Sequence, residues 1–303
     1  MANQILVPLD GSALAEQALS CAVTLGQGLS AGLVLFRAVS IPPEVQEALD
    51  RAGLNPGPLL ERLETEACQY LEAMRHLLRN TGLGFSHVVR RGLAAEAIVD
   101  YVEKTDIRLI VMATHGYIGL KRWTHGSVAE RVLQAASVPV LLVRAREADP
   151  ARGLQQPLPC WHILVPLDGS ELAEQVLPIV SPIARALEAE MTLLQVATTH
   201  VLGPFSDEWY PSLQSTFEIV EQQAKLYLES MACHLNEQGI ETSTVVWTGL
   251  VADSIVRYAE VNHMDLIARC THGRTGLARW ALGSVADRVL RAAEIPILLV
   301  RAG

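Results

Sequence analysis

The sequence predicts an α/β fold with two tandem domains, each a doubly wound, Rossmann-like parallel sheet of five strands with helices on both faces. Two observations lead to this prediction. The segment ILVPLDGSALAEQAL at residues 5–19 returns as ILVPLDGSELAEQVL at 163–177, with 13 of 15 positions identical. In both copies, short β-branched apolar runs also alternate with longer amphipathic stretches, which is typical of parallel strands joined by crossover helices.

The ends of the two copies define the domain boundaries. AERVLQAASVPVLLVRA at 129–145 resembles ADRVLRAAEIPILLVRA at 286–302, and a repeat of this length indicates duplication of a whole domain rather than a solenoid. The segment between the copies contains three prolines and no apolar periodicity, as linkers do. We therefore predict domains at 1–145 and 161–303, joined by a linker at 146–160.

Five strands and four helices are predicted in each domain. The apolar runs place the strands at 5–9, 33–39, 85–90, 108–114 and 138–144 in the first copy, and at 162–167, 191–197, 242–248, 265–270 and 295–301 in the second. Residues 58–81 carry apolar side chains at helical spacing, so we expect a long helix that packs on the core. Ligands of doubly wound sheets bind beyond the carboxyl ends of the strands, where the winding reverses.

Composition excludes several function classes. The net charge of −9 leaves no broad cationic surface, so we expect neither nucleic acid nor a membrane as a partner. The chain starts without a basic or apolar leader and contains no run of about 18 apolar residues, which predicts a cytoplasmic protein. The five cysteines form no CxxC pair and the histidines lack metal-ligand spacing, so we predict no metal site.

An acidic residue follows the first strand of each copy, in the sequence PLDGS. Asp10 and Asp168 can accept a hydrogen bond from an exocyclic amine or a ribose hydroxyl. The following glycine allows the chain to turn, and the serine can cap a helix. The alternative is that the aspartate only stabilises this strand-to-helix turn, and this segment by itself favours neither reading.

A glycine-rich loop follows the fourth strand. It opens at Gly116 or Gly273, and after nine residues a Gly-Ser pair starts an amphipathic helix, Gly126-Ser127 in one copy and Gly283-Ser284 in the other. Glycines allow close backbone approach, and the free N–H groups of a helix start favour a phosphate. Simple capping explains the serine but not the loop. A Walker loop and a GxGxxG motif after the first strand are both absent from the sequence.

These motifs together resemble the universal stress protein family, over nearly all of both copies. The family's phosphate motif is glycine, two residues, glycine, nine residues, glycine, and serine or threonine. Ala113 and Cys270 stand at the first glycine, and the later elements match in both copies. The resemblance implies an adenine-nucleotide α-hydrolase-like fold that binds ATP, or alternatively ADP or AMP, with Mg²⁺ as an accompanying ion.

Motif positions assign the nucleotide-binding residues. In the first copy they are Pro8, Asp10, Val39, Ala113, His115, Gly116, Gly126, Ser127 and Val128, and in the second Pro166, Asp168, Val196, Cys270, His272, Gly273, Gly283, Ser284 and Val285. The copies differ beside this set, because Met112 in one corresponds to Arg269 in the other. We therefore expect unequal affinities for the nucleotide.

Two functions from different classes fit these residues. The leading hypothesis is a regulatory stress-response protein that binds adenine nucleotides. His115 and His272 adjoin the loop, but no nucleophile, base and orienting group are complete, so we expect at most slow ATP hydrolysis and no catalytic residue. The alternative is an interaction scaffold in which one or both pockets have decayed, as the residues at the first glycine position suggest.

Assembly is expected to use the last strand of each copy. PVLLVR at 139–144 and PILLVR at 296–301 are apolar, and an exposed apolar edge strand needs a partner. The family resemblance implies pairing through this strand. We therefore expect an intramolecular pseudo-dimer, with a homodimer as a further assembly and the identity of any protein partner open.

Overall fold

The computed structural model describes residues 4–115, 128–145, 162–197, 210–271 and 283–301. The chain divides into two compact units, residues 1–158 and 159–303, and each unit contains one copy of the repeat. The prediction of two tandem α/β domains is thereby confirmed. The predicted linker at 146–160 lies outside the described residues, so its boundaries stay a prediction.

The first unit has a five-stranded parallel sheet. Its strands are β1 (Gln4–Pro8), β2 (Gly32–Val39), β3 (Phe85–Arg91), β4 (Ile107–His115) and β5 (Val140–Ala145), in the order β3-β2-β1-β4-β5. The helices in its described part are α1 (Ala13–Glu16), α2 (Ala18–Gly28), α3 (Pro43–Arg51), α4 (Gly57–Leu78), α5 (Ala94–Glu103) and α6 (Val128–Ala135). The winding reverses between β1 and β4.

The second unit repeats this arrangement. Its strands are β6 (His162–Pro166), β7 (Glu190–Ala197), β8 (Thr242–Thr248), β9 (Leu266–Cys270) and β10 (Ile297–Val300), in the parallel order β8-β7-β6-β9-β10. The described helices are α7 (Glu171–Glu174), α8 (Leu177–Ala186), α9 (Tyr210–Glu237), α10 (Val251–Val261) and α11 (Ser284–Ala292). All ten observed strands coincide with the predicted ones to within two residues at each end.

Helices cover both faces of each sheet, as a doubly wound fold requires. Neighbouring side chains of β2 show this, because Phe36 contacts Tyr101 of α5 and the next residue, Arg37, lies over the ring of Tyr70 of α4. Helix α6 packs beside α5, as α11 packs beside α10. The central strand β1 is therefore apolar at consecutive positions, and Ile5, Leu6 and Val7 are all buried.

More helices form than the four per domain that the sequence predicts. The crossover after β1 is divided at Gln17, whose N–H bonds to carbonyls two and three residues back and so tightens the chain between α1 and α2. A separate helix, α3, begins at a proline pair before α4. The long helix itself is confirmed, although only its second half is buried, at Ala67, Leu71, Met74 and Leu78. No helix within the described ranges is both long and apolar enough to cross a membrane.

Candidate functional site

The turn after the first strand has the same hydrogen bonds in both domains. Asp10 Oδ1 accepts from the Ser12 backbone N–H at 2.8 Å, and Asp168 Oδ1 accepts from that of Ser170 at 3.0 Å. Each serine hydroxyl in turn accepts from the first turn of the following helix, at 3.1 and 3.2 Å. The glycine between them has a positive φ, 91° at Gly11, which favours glycine.

These contacts show the turn-stabilising role of the aspartate, which the sequence left as an alternative. That role uses Oδ1 in each case, and a carboxylate has acceptor sites on both oxygens. In the second domain, the Ser170 hydroxyl also donates to Asp168 Oδ1 at 2.6 Å. The turn therefore holds both carboxylates at the carboxyl end of the central strand, beside Pro8 and Pro166.

The motif positions assign Val39 and Val196 as corresponding residues at the end of the second strand, but the strand register does not align them. The Leu9 N–H bonds to Phe36 and the Leu167 N–H to Leu194, which aligns Val196 with Ala38 rather than with Val39. Side chains alternate between faces along a strand, so Val39 and Val196 point to opposite faces of their sheets. The carbonyl of Val39 also accepts from the Gly92 N–H at 2.9 Å. These two assigned residues are not structural equivalents.

The fourth strand places Ala113 and Cys270 at equivalent positions. The Cys270 side chain is 3% exposed and lies close to the backbone of Val176, at the junction of α7 and α8. Burial raises the pKa of the Cys270 thiol to about 11, although the nearby Arg269 guanidinium opposes this shift. The thiol thus faces the α7–α8 side of the sheet, and it is uncharged at neutral pH.

The start of α11 packs against the end of β9. The Gly283 N–H donates to the carbonyl of Thr271 at 3.1 Å, and a Cβ added to Gly283 would lie 3.0 Å from that carbonyl oxygen. Any other residue here would require the Thr271 carbonyl or the helix start to move by a few tenths of an ångström. Ser284 and Val285 follow as the first two residues of the helix. The predicted glycine and helix start are thereby brought to the carboxyl edge of the second sheet.

The rest of the glycine loop falls outside the described residues. This applies to Gly116, Gly126, Ser127, His272 and Gly273, and His115 is described only as the last residue of β4. Val128 begins α6 and is partly exposed. The assignments to these residues stay predictions.

Sequence reasoning missed a tyrosine–glutamate pair beside the turn of each domain. Tyr70 Oη donates to Glu16 at 2.9 Å, and Tyr227 Oη donates to Glu174 at the same distance. Burial and the Glu16 carboxylate raise the pKa of Tyr70 well above its usual range. The partners are more than 50 residues apart in the chain, and the only signal in the sequence is the repeated LAEQ segment that contains both glutamates.

The charged residues around the edge differ between the domains. Arg37 of β2 lies 5.0 Å from the centroid of the Tyr70 ring, and Gln195 takes its place in β7. Conversely, β9 carries Arg269 where β4 carries the buried Met112. Arg269 Nη1 and Gln195 Oε1 are the two buried side-chain atoms without a hydrogen-bond partner in the described part of the chain. Both belong to the second domain.

Two other features of the described residues bear on ligands. Groups of three or more His, Cys, Asp or Glu that could hold a metal ion are absent from these residues. An open depression of about 690 Å³ lies at the amino ends of β1, β2 and β3, lined mainly by segments 30–33 and 81–86. It lies at the edge opposite to the aspartate turn, and its lining residues carry no charged side chain.

Comparisons with known proteins agree with the motifs. The model of the universal stress protein family matches residues 1–144 and 161–301. A universal stress protein of Methanocaldococcus jannaschii is 31% identical over 141 residues, which are 46% of this chain and 81% of that protein. One of Synechocystis is 21% identical over 319 residues, covering 99% of this chain and all of that protein.

Solved structures show the same fold. The crystal structure of a universal stress protein from Archaeoglobus fulgidus superposes with a TM-score of 0.71 and covers 99% of this chain and 97% of its own, at 17% identity. At that identity the likeness concerns the fold, and it confirms the α/β class with two tandem domains.

Proposed function

The chain belongs to the universal stress protein family, and we propose that it binds adenine nucleotides, with ATP as the main ligand, as a regulatory stress-response protein rather than an enzyme. A cytoplasmic location is part of this proposal. The single observation that carries it is the start of α11, which a glycine brings against the end of β9 at the carboxyl edge of the sheet.

The start of α11 fits a phosphate on physical grounds. Its cap residue is glycine, which has no side chain to accept from the first N–H groups of the helix. By contrast, α1 and α7 are capped by serine hydroxyls. Uncapped N–H groups and the positive end of the helix dipole favour an anion. The exposed Ser284 adds a hydroxyl donor at the same place.

The aspartate turn supports the nucleoside half of the proposal. Asp10 and Asp168 are held at the end of the central strand by the same hydrogen bonds. In this proposal each carboxylate accepts from a ribose hydroxyl or the adenine amine, next to Pro8 or Pro166. Mg²⁺, where present, would be held chiefly by the phosphate oxygens, as is usual for nucleotide-bound magnesium. ADP and AMP fit the same arrangement with fewer phosphates.

Assembly belongs to the same proposal. Strands β5 and β10 each end the strand order of their own unit, and both consist largely of buried apolar residues. We propose that the two domains associate through these strands as an intramolecular pseudo-dimer and that the chain can also form a homodimer. Small-angle scattering of the full chain tests this, since two independently tumbling lobes would contradict it.

Thermal unfolding of the full chain tests nucleotide binding. ATP at 100 times its Kd should stabilise a binding domain by about 2.7 kcal/mol, which raises the melting temperature by several degrees. Ser284→Glu places a carboxylate at the start of α11, where it favours the helix but repels phosphate. This variant should keep its unliganded melting temperature and lose the part of the ATP shift that comes from the second domain.

A matched control separates this effect from charge alone. Gln222→Glu adds the same charge on an exposed position of α9 and should respond to ATP like the unmodified chain. If millimolar ATP leaves the melting temperature of the unmodified chain unchanged, nucleotide binding is wrong. The interaction scaffold with decayed pockets would then be the better description.

A further inference from the structure

An arginine beside the aspartate turn comes from a different strand in each domain. In the first domain it is Arg37 of β2, whose guanidinium lies over Tyr70, close to the Asp10–Gly11 turn. In the second domain it is Arg269 of β9, near Asp168. The first domain has Met112 at the position of Arg269. Each domain thus has a guanidinium near its turn, and the two guanidinium groups come from opposite faces of the sheet.

The register of the strands determines which face Arg269 occupies. Leu164 of β6 pairs with Ile267 of β9, so two residues further on Arg269 shares a face with Pro166. Pro166 pairs with Leu194 of β7, and Val196, two residues further along β7, pairs with Trp247 of β8, so Trp247 lies on the same face. On that face lie α10 and α11, because Trp247 contacts Tyr258 of α10 and α11 packs beside α10. Arg269 therefore faces the helix layer whose start we propose as a phosphate site.

The Arg269 guanidinium is only partly satisfied by the protein. Its Nε donates to the Cys270 carbonyl at 3.1 Å, while Nη1 is buried and has no partner among the described residues. Burial lowers the pKa of Arg269 to about 10, partly opposed by Asp168, so the side chain is still charged at neutral pH. A buried charged donor without an acceptor is costly, and such groups concentrate at functional sites.

The helix start lies at the end of the same strand. The carbonyl of Thr271, two residues after Arg269, accepts from the Gly283 N–H at 3.1 Å. Helix α11 begins at Ser284, directly after Gly283. Two independent features thus favour an anion here: the positive end of a helix and a guanidinium nitrogen without an acceptor. In the first domain, the apolar side chain of Met112 stands where the second domain has this guanidinium.

We propose that Arg269 contacts a phosphate group of the ligand directly and makes the second domain selective for polyphosphate-bearing ligands, whereas the first domain, with Met112, binds them less tightly. This inference rests on the proposed nucleotide site and adds a difference in ligand preference between its two copies. Arg269 is a specificity-determining residue in this account, and the shared chemistry is that of a nucleoside polyphosphate or a free polyphosphate chain.

Titration calorimetry on the full chain tests the proposal with ATP, adenosine and inorganic tripolyphosphate as probes. Arg269→Met installs the residue of the first domain. It should weaken ATP binding at one site by about 10- to 100-fold, the factor expected for a charge-assisted hydrogen bond, and leave adenosine binding within about twofold. The reciprocal Met112→Arg should strengthen ATP binding at the other site. Arg257→Met removes an exposed arginine of the same domain and should change neither affinity.

Further readouts exclude a merely structural role. The substitution removes one hydrogen bond of Nε, but it also removes the buried Nη1, which has no partner among the described residues. Because these two effects oppose each other, Arg269→Met should leave the melting temperature of the unliganded chain about unchanged. Arg269→Lys keeps the positive charge but not the planar guanidinium, so its ATP affinity should lie between those of the unmodified chain and Arg269→Met. This variant replaces Arg269→Met in the test if the methionine variant fails to fold. Unchanged ATP affinity in both variants, or equal losses of ATP and adenosine affinity, would overturn the proposal.

The tripolyphosphate arm separates this inference from the proposed function. If the unmodified chain binds neither ATP nor adenosine, adenine-nucleotide binding fails. Tripolyphosphate binding that Arg269→Met weakens would still support the role of Arg269, while absent or unaffected tripolyphosphate binding would overturn that role too. If ATP binds with an affinity that does not depend on Arg269, the proposed function stands and this inference falls.

Discussion

The two domains have the same turn after the first strand and different side chains around it. In both, an aspartate holds the turn, a serine caps the next helix and a tyrosine donates to a glutamate of that helix. The ends of the neighbouring strands differ, since Arg37 and Met112 in the first domain correspond to Gln195 and Arg269 in the second. The two domains share the supporting contacts and differ in the side chains that surround the aspartate turn.

This difference shows which residues the fold needs and which it leaves free to vary. The turn positions the start of the first crossover, and the tyrosine–glutamate pair joins that crossover to the long helix. The positions of Arg37 and Arg269 are less constrained by the fold, because Gln195 and Met112 take the corresponding places in the other domain. The side chains around the turn can therefore differ between the domains while the scaffold stays the same.

The largest expected effect concerns the glycine after the third strand of each domain. Gly92 and Gly249 both have positive φ, 127° and 152°, so alanine at either is strained by about 1–3 kcal/mol. A Cβ on Gly249 would also lie 2.6 Å from Ser254 Oγ, whereas a Cβ on Gly92 would have no described atom of another residue within 4 Å. Gly249→Ala should therefore cost about 1–3 kcal/mol more than Gly92→Ala in the free energy of unfolding.

Urea denaturation of the full chain measures this difference, and a double variant gives the control. Ser254→Ala removes the crowded hydroxyl, so Gly249→Ala in that background should cost about as much as Gly92→Ala. Equal costs for the two single variants would contradict the crowding that distinguishes the two edges.

A smaller effect on stability is expected from the tyrosine–glutamate pair, which both domains share. Tyr70→Phe and Tyr227→Phe each remove one hydrogen bond to a glutamate, and each should cost about 1 kcal/mol, because the two bonds have equal lengths. Replacing the Tyr70 ring by leucine should cost about 0.5–1 kcal/mol more than Tyr70→Phe through loss of the cation–π contact, since Arg37 lies over that ring. Denaturation midpoints compare these variants. A difference between Tyr70→Phe and Tyr227→Phe of more than about 1 kcal/mol would show that the two tyrosine–glutamate pairs are not equivalent.

The smallest effect is the loss of stability that Cys270, in the second domain, causes at alkaline pH. The pKa of Cys270 is raised from 9.0 to about 11. The thiol therefore ionises first in the unfolded chain, and its contribution to stability is present below pH 9.0 and is lost as pH rises through about 11. The difference in unfolding free energy between the unmodified chain and Cys270→Ala should decrease between these values.

Cys233→Ala, which removes an exposed thiol, is the control for this pH series. A flat difference for Cys270→Ala would contradict the burial of its thiol at the α7–α8 junction. The first domain, with Ala113, has no group that titrates at this position.

Much of the fold could be predicted because its signals are local. Each strand is a short apolar run, and each is found within two residues of its predicted ends. The aspartate turn and the glycine before α11 were also recognisable, since both depend on neighbours a few residues away. The extra helices were missed because the break at Gln17 and the proline start of α3 interrupt the apolar periodicity only weakly.

The sequence by itself determined the duplication, the strands, and the residues that follow the first and fourth strands of each domain. Only the tertiary structure decided which face each side chain occupies. It separated Val39 from Val196, directed Cys270 toward α7 and α8, and buried Arg269 Nη1 where none of the described residues accepts from it. The physical reason is strand register. A shift of one residue leaves the composition of a strand unchanged but moves every side chain to the other face of the sheet.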